Sequence, residues 1–341
     1  MSGDGDLGAL PSQMPDPRER ATDELAAHCR IVLRRLRDGN VIPFLGAGTN
    51  LCGRPEDEAW LGRHLPSGTE LATYLAESYA YPDGEAPDLL RVSQYVQAVT
   101  GGRVLYDELH ELFARDYEPT LLHELLATLP ALVRARRADG HDARFHLLVT
   151  TNYDDALEKA FIRAGEPFDL VTYLAAGPSR GKFLHHMPDG GRHVIDQPNV
   201  YRELSLRRRP VILKIHGAVD REDAAADSYV ITEDHYIEYL AQTDIANIIP
   251  AALMAVMNES HFLFLGYSLR DWNLRVILQR IWGRRPFEEQ YKSWAIRKDP
   301  SRLEERLWAS RNVEIMNLDL DAYVAALRGA LDGVVAGPAA A

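Results

Sequence analysis

The sequence predicts an α/β fold in which a parallel sheet of about six strands carries helices on both faces. Short segments that are apolar throughout alternate along the chain with longer segments whose apolar residues recur every three or four positions. Strands without a polar face indicate a sheet that is covered on both sides, as parallel sheets are. The 341-residue chain has 46% hydrophobic residues, which is enough to fill a sizeable core.

The order of the elements follows from these two patterns. A first helix is expected over 23–37, where an apolar stripe runs from Leu25 to Leu36 and Gly39 suits the C-terminal end. Six apolar segments are expected to be strands, at 41–45, 146–151, 211–216, 261–265, 293–297 and 313–318. Helical segments follow the later strands, at 154–163, 233–242, 245–257, 271–282 and 322–331.

Two insertions and two tails interrupt this alternation. Residues 67–129 show helical stripes and predict an inserted helical region, whereas many glycines and prolines make 174–209 a loop insertion. Residues 1–20 and 334–341 are rich in small or polar residues and are expected to be disordered tails. The remaining chain, 21–333, is expected to form a single domain.

The composition excludes several classes of protein. The 38 Lys and Arg residues are outnumbered by 50 Asp and Glu residues, and the net charge of −12 disfavours binding to nucleic acid or an anionic membrane. The two cysteines, Cys29 and Cys52, are too few for a disulfide framework or a four-cysteine zinc module. The polar N-terminus is unlike a signal peptide, and no apolar segment approaches the roughly 20 residues of a membrane span, so we expect a cytoplasmic protein.

Four predicted strands end in small or polar residues that can bind a ligand. In a parallel sheet the C-terminal ends of the strands share one edge, and ligands bind in the crevice outside it. The four groups are therefore expected to converge, although they lie far apart in sequence. They are Gly46, Ala47, Gly48 and Thr49 after the first strand, Asn152 and Asp154 after the second, His216 after the third, and Gly266 and Ser268 after the fourth.

Each group has a chemical use and an ordinary structural explanation. The turn formed by Gly46 to Gly48 would let bare N–H groups approach a pyrophosphate, but tight turns after strands use glycine anyway. Asn152 could bind a ribose hydroxyl or a water, and Asp154 could favour a developing positive charge, yet either could simply cap the next helix. His216 suits a general base, although a histidine at a strand end is more often structural. Their joint occurrence favours a site.

Competing motifs fail at specific positions. A dinucleotide-binding fingerprint needs a third glycine where Leu51 stands, and the P-loop-like stretch 177–183 is one residue short. A metal site built from His185, His186 and His193 is less expected than a solvated loop, so no metal is expected.

The assembled motifs resemble those of the sirtuin superfamily. The matching stretches, in the family's order, are 44–49 (FLGAGT), 148–154 (LVTTNYD), 214–217 (KIHG) and 263–268 (LFLGYS). The resemblance covers roughly 41–300. Over 66–71, 228–240 and 265–278 the chain is more similar to the divergent bacterial sirtuin-like NAD hydrolases of anti-phage defence than to protein deacylases. The resemblance implies a Rossmann-like sheet, here without a zinc module.

The same resemblance implies that the chain cleaves the nicotinamide–ribose bond of NAD⁺, with NAD⁺ as substrate and water as acceptor. Asn152 would hold the ribose or the attacking water, Asp154 would orient the nicotinamide, and His216 would accept a proton. The remaining residues would bind the rest of the dinucleotide, with Gly46, Ala47, Gly48 and Thr49 at the pyrophosphate and Gly266 and Ser268 at the second ribose.

Two other functions stay open at this stage. A protein deacylase or ADP-ribosyltransferase would use the same cofactor, and a non-catalytic sensor would bind NAD or ADP-ribose without cleaving it. The resemblance further implies an effector that depletes NAD⁺ during phage infection, commonly as a homo-oligomer. Because the predicted domain fills most of the chain, a partner such as a ring-shaped ATPase encoded nearby is also expected. The candidate assembly surfaces are 67–129 and 174–209.

Overall fold

The computed structural model describes residues 17–55, 57–82, 87–241, 245–267, 272–283 and 291–335. The strands in this part of the chain are β1 (Val41–Leu45), β2 (Leu147–Thr150), β3 (Asp169–Tyr173), β4 (Phe183–His186), β5 (Arg192–Ile195), β6 (Val211–Lys214), β7 (Gly217–Ala218), β8 (Ser228–Tyr229), β9 (His261–Leu265), β10 (Ser293–Arg297) and β11 (Val313–Asn317). Nine of them form one sheet in the order β11-β10-β9-β1-β2-β6-β3-β4-β5, and β7 pairs with β8 separately. The pairs from β11 to β3 are parallel, and β4 and β5 extend the sheet by antiparallel pairing.

Helices cover both faces of this sheet and form the predicted insertion. They are α1 (Pro17–Arg37), α2 (Gly68–Ser78), α3 (Leu89–Thr100), α4 (Gly102–Phe113), α5 (Leu121–Ala127), α6 (Leu129–Ala138), α7 (Ala156–Arg163), α8 (Glu233–Ala241), α9 (Ile245–Ile248), α10 (Ala251–Asn258), α11 (Trp272–Trp282), α12 (Arg302–Ala309) and α13 (Leu320–Val335). The predicted α/β fold is confirmed, and each of the six apolar segments forms a parallel strand.

The sheet is larger than the predicted six strands. The segment expected to be a loop, 174–209, contains β4 and β5, and β3 precedes it. Phe183 and His185 in β4 are buried while their neighbours are only half-buried. Such short alternating strands between glycines carry little of the continuous apolar signal that marks central strands.

Several predicted boundaries also shift. Helix α1 begins at Pro17, within the expected N-terminal tail, and residues 1–16 and 336–341 lie outside the described part of the chain. The helix expected over 245–257 is two helices, α9 and α10, because Pro250 has no N–H to donate and disfavours helical backbone before it.

Successive residues of the central strands point into two cores on opposite faces of the sheet. Ile42 and Phe44 of β1 pack in one core, and Val41 and Leu45 pack in the other. This alternation is the ordinary two-residue period of a strand, with both faces buried as the uninterrupted apolar sequence predicts.

The helical insertion has a core of its own. Leucines and valines of α2, α3 and α4, among them Leu75, Val96 and Leu109, pack there with Tyr153 and Tyr229. Because Tyr153 follows β2 directly, this packing places the inserted helices against the C-terminal edge of the sheet.

The strand order reverses between β1 and β9. The chain continues from β1 to β2 on one side, whereas β9, β10 and β11 extend the sheet on the other. Such a reversal leaves a crevice at the carboxyl ends of the two strands, which is where open α/β sheets bind ligands.

Two absences hold for the residues that the structure describes. None of the described helices is both long enough and apolar enough to cross a membrane. No group of three or more His, Cys, Asp or Glu side chains in the same residues is arranged to hold a metal ion.

Candidate active site

A cleft of about 880 Å³ opens at the C-terminal edge of the sheet. Its volume lies in the range of cofactor and small-molecule sites. Most of the residues singled out in the sequence line it, namely Gly46, Ala47, Gly48, Asn152, Asp154, His216 and Gly266. Thr49 is fully buried beneath the lining, and Ser268 lies outside the described residues.

The turn after β1 is packed tightly against the loop after β9. A Cβ atom on Gly48 would lie 2.6 Å from the Gly266 carbonyl oxygen, and one on Gly46 would lie 2.6 Å from the Tyr267 ring. Gly266 itself has a φ of +61°, and a Cβ there would lie 2.2 Å from the Thr49 nitrogen. The three glycines therefore let two loops meet where the strand order reverses.

The expectation that this turn presents bare N–H groups is wrong for Gly46 and Gly48. The Gly46 N–H donates to the Leu265 carbonyl at 3.1 Å, and the Gly48 N–H donates to the Gly266 carbonyl at 2.8 Å. The Thr49 N–H donates back to the Gly46 carbonyl at 3.0 Å. The Gly46 and Gly48 donors are therefore used between the two segments and the Thr49 donor within the turn, and the glycines serve the close packing of the loops.

Asn152 joins the second strand end to this turn. Its Nδ2 donates to the Gly46 carbonyl at 3.3 Å and to Thr49 Oγ1 at 3.1 Å. The Gly46 carbonyl can only accept, which fixes the side of the amide that carries the nitrogen. Asn152 Oδ1 is buried without a hydrogen-bond partner among the described residues, so it remains an acceptor for a ligand or a water.

Asp154 is buried and held from two sides. Its Oδ2 accepts from Asn50 Nδ2 at 3.1 Å, and its Oδ1 accepts from the Ala156 N–H at 3.1 Å, at the start of α7. Its carbonyl accepts from the Lys214 ammonium, which also pairs with Glu158 at 2.7 Å. The Asp154 carboxylate therefore accepts from the first N–H of α7, and the residue also lines the cleft.

His216 is a neutral imidazole deep in the cleft. Burial lowers the pKa of His216 to about 3. The Tyr236 hydroxyl lies 3.3 Å from Nδ1, and the Tyr236 and Tyr239 rings pack edge-on against the imidazole. Nε2 is buried and has no hydrogen-bond partner among the described residues. If Nδ1 donates to the Tyr236 oxygen, Nε2 carries a lone pair that can accept a proton.

Sequence reasoning missed several residues of the cleft. Asn50 follows the glycine turn by two positions, but the hydrogen bond to Asp154 spans 104 residues and has no local signal. Tyr236 lies within a predicted helix and resembles an ordinary core residue. Arg297 and Lys298 line the cleft at the end of β10, which is not one of the four strand ends that the sequence analysis assigns to ligand binding. Their position after an apolar strand was the available signal.

Cys52 also lines the cleft but is not a nucleophile. Burial and a hydrogen bond with Asp321 raise the pKa of the Cys52 thiol to about 12. Because the thiolate is the reactive form, the thiol is inert at neutral pH.

The histidines of the segment 174–209 do not gather into a metal site. His185 is fully buried, with Nε2 2.9 Å from Asp169 Oδ1 and Nδ1 2.7 Å from the Tyr201 hydroxyl. Both ring nitrogens are therefore engaged in structural hydrogen bonds.

Comparison with known proteins finds similarity to one family. The model of the SIR2-like domain matches residues 146–316. Three similar curated proteins are each named NAD(+) hydrolase ThsA. The first, from Acinetobacter baumannii (strain 532279), is 27% identical over 255 residues, covering 73% of this chain and 41% of the relative. The second, from Enterococcus faecium, is 25% identical over 259 residues, covering 74% and 43%. The third, from Bacillus cereus (strain MSX-D12), is 24% identical over 247 residues, covering 70% and 41%.

The chain thus matches about two-fifths of the length of these relatives. The family match spans half of the chain and includes the segments that bring Asn152, Asp154, His216 and Gly266 to the cleft. On this evidence the chain belongs to the SIR2-like domain family.

Proposed function

We propose that this protein hydrolyses NAD⁺ at the nicotinamide–ribose bond, giving nicotinamide and ADP-ribose or its cyclised form. One observation carries the proposal: residues that line the cleft have buried polar atoms without hydrogen-bond partners among the described residues, and Asn152 Oδ1 and His216 Nε2 are two of them. Buried polar atoms are normally paired, so these two are suited to a polar ligand. The names of the relatives, NAD(+) hydrolase, support NAD⁺ as that ligand.

The reaction breaks one bond and forms one. The nicotinamide nitrogen leaves the ribose anomeric carbon with the electron pair of the bond, and the ribose acquires oxocarbenium character. Water then bonds to that carbon and releases one proton. The protein must hold the ribose, stabilise the positive charge and accept the proton.

Three side chains fit these roles. Asn152 Oδ1 accepts a hydrogen bond from a ribose hydroxyl or the attacking water. His216 Nε2 accepts a proton from one of them, with Tyr236 holding the ring at Nδ1. The Asp154 carboxylate, fixed by Asn50, favours the positive charge on the ribose and orients the nicotinamide.

The other half of NAD⁺ would lie towards β9 and β10. We assign Gly46, Ala47, Gly48 and Thr49 to the pyrophosphate and Gly266 to the second ribose, and all of these except the buried Thr49 line the cleft. Arg297 and Lys298 supply positive charge at the end of β10. Ser268 keeps its assignment to the second ribose from the family resemblance.

Cleavage of NAD⁺ is tested by incubating the purified protein with NAD⁺ and measuring free nicotinamide. We expect Asn152→Ala and His216→Ala to reduce the rate about a hundredfold or more, because each removes a group that acts at the reacting ribose. Asn199→Ala and His141→Ala are matched controls, since both residues are exposed and lie outside the cleft, and their rates should equal the wild-type rate.

Other outcomes would contradict this proposal. Full activity in both cleft variants would overturn the assigned roles. Turnover that requires an acylated peptide would identify a deacylase, and binding of ADP-ribose without release of nicotinamide would identify a sensor.

We further propose that NAD⁺ depletion makes this protein an effector of anti-phage defence, acting as a homo-oligomer in the cytoplasm or with a partner ATPase. Exposed Val99 of α3 and Val104 of α4 support the helical insertion as an assembly surface. Expression of the cleft variants in infected cells tests the effector role, because protection should be lost together with nicotinamide release.

A further inference from the structure

A second cavity of about 780 Å³ lies away from the active cleft, between α7 and the antiparallel edge of the sheet. We call it the α7 groove and define it by Glu158 and Ile162 of α7, Leu170 and Thr172 of β3, and Leu184 and His186 of β4. Its volume is within the range of small-molecule sites. Its walls are mainly apolar side chains that are half-buried or, like Ile162, exposed.

Two polar atoms in the lining of the α7 groove lack partners among the described residues. They are Glu158 Oε2 and Thr172 Oγ1. Glu158 is 7% exposed and Thr172 is 6% exposed, so both residues are more than nine-tenths buried. Leaving such atoms unpaired costs free energy, and a bound group that pairs with them regains it.

Lys214 is a neighbour of both Glu158 and Thr172. It pairs in register with Thr172 across β6 and β3, and its ammonium lies 2.7 Å from Glu158 Oε1. Burial raises the pKa of Glu158, and the Lys214 ammonium opposes that rise. The ion pair occupies Oε1 and leaves Oε2 without a partner among the described residues.

Each charged side chain named at the rim of the groove has a partner of opposite charge. Arg192 pairs with Asp220 at 3.2 Å and with Glu222 at 3.3 Å, and Arg221 pairs with Asp155 at 3.4 Å. These pairs leave no excess positive charge for an anionic ligand, and the mainly apolar walls favour an uncharged one.

We propose that the α7 groove binds an uncharged small molecule with an apolar body and one hydroxyl or amide group. That group donates a hydrogen bond to Glu158 Oε2 and accepts one from Thr172 Oγ1. A flat protein surface cannot reach atoms this deeply buried, which favours a small molecule over a second copy of the chain.

The test uses two probes that differ in one donor. 2-Naphthol has a flat apolar body and a hydroxyl, whereas 2-methoxynaphthalene keeps the oxygen acceptor and lacks the O–H. In a fluorescence titration of the full chain, we expect one saturable site at which 2-naphthol binds at least about tenfold more tightly, because a hydrogen bond to a charged group contributes that much.

Three variants assign this binding to the α7 groove. Glu158→Gln places an amide nitrogen where Oε2 lies, and the preference for 2-naphthol should fall to about one. Thr172→Val removes a hydroxyl at constant shape and should weaken both probes. Leu184→Trp fills the groove and should abolish binding of both. If Glu158→Gln does not fold, the other two variants still decide the assignment.

Four results would overturn the proposal. They are the absence of saturable binding to the wild-type chain, equal affinity for the two probes, a preference that persists in folded Glu158→Gln, and undiminished binding to Leu184→Trp. Burial of this face by a second copy, detected as cross-links through the groove, would replace the small molecule with an interface.

Discussion

At the residue scale, the cleft separates atoms that hold the structure from atoms that remain for a ligand. The amide nitrogen of Asn152 fixes the turn after β1, while its Oδ1 has no partner among the described residues. The same division holds for His216, whose Nδ1 contacts Tyr236 and whose Nε2 is unpaired in the same part of the chain. Each side chain is thus held through one nitrogen, and this arrangement supports the roles proposed for the other polar atom.

The pH dependence of catalysis tests the state of His216. Because burial lowers the pKa of His216 to about 3, the imidazole stays neutral well below its ordinary pKa of 6.5. We therefore expect kcat/KM for NAD⁺ to show no protonation step near pH 6.5. Initial rates between pH 5 and pH 8, with folding checked at each pH, measure this. An inflection near pH 6.5 that disappears in His216→Ala would show that the histidine titrates normally.

At the element scale, the site depends on two loops that meet where the strand order reverses. The loop after β1 and the loop after β9 pack through glycines, and the N–H groups of Gly46 and Gly48 donate to the carbonyls of Leu265 and Gly266. Parallel pairing along five residue pairs between β1 and β9 sets this approach. The distance between the loops is therefore fixed by backbone, which leaves no space for a side chain.

Gly266→Ala should destabilise the fold by about 2 kcal/mol or more, because the new Cβ meets the Thr49 nitrogen at 2.2 Å and φ is +61°. Gly329→Ala is the matched control: Gly329 lies inside α13, and a Cβ there meets nothing within 4 Å. That control should raise stability by up to about 1 kcal/mol. Urea unfolding of the three proteins measures both changes, and equal midpoints for wild type and Gly266→Ala would refute the close approach.

At the scale of the whole molecule, the fold buries several histidines in neutral form. Burial lowers the pKa of His123 and His146 to about 4 and that of His216 to about 3. These residues lie on different elements, so their protonation acts on the protein as a whole. The unfolded chain regains ordinary histidine pKa values and binds more protons than the folded protein below about pH 6.5.

Stability should therefore be complete above about pH 6.5 and fall as the pH drops towards 4. Each neutral histidine contributes a slope of about 1.4 kcal/mol per pH unit in this window. The raised pKa values of the buried Glu158 and Asp227 act in the opposite direction, so one histidine must be isolated by mutation.

His146→Gln isolates one histidine, because glutamine can replace the hydrogen bond to the Leu36 carbonyl and does not titrate. Urea midpoints at pH 7, 6 and 5 should fall less steeply for this variant than for the wild type. Identical slopes would show that His146 does not contribute.

The sequence predicted the central fold well because its signals there are local. The segment 261–265 is apolar after His261 and forms β9 with the predicted bounds, and 293–297, with an apolar centre, forms β10 with the predicted bounds. The edge strands β4 and β5 were missed because half-exposed strands alternate weakly and their glycine-rich surroundings resemble loops. The sequence also predicted that Asn152, Asp154 and His216 converge, because the C-terminal ends of parallel strands lie at one edge of the sheet, and all three line one cleft.

By itself, the sequence determined that apolar strands alternate with helices and that their ends carry an amide, a carboxylate and an imidazole. Only the tertiary structure decided which atoms of those groups form hydrogen bonds within the protein. The N–H groups of Gly46 and Gly48 are used between loops, and Asn50 holds Asp154 across 104 residues. The physical reason is that hydrogen bonds between segments distant in sequence form only after the chain has folded, so no local pattern of residues encodes them.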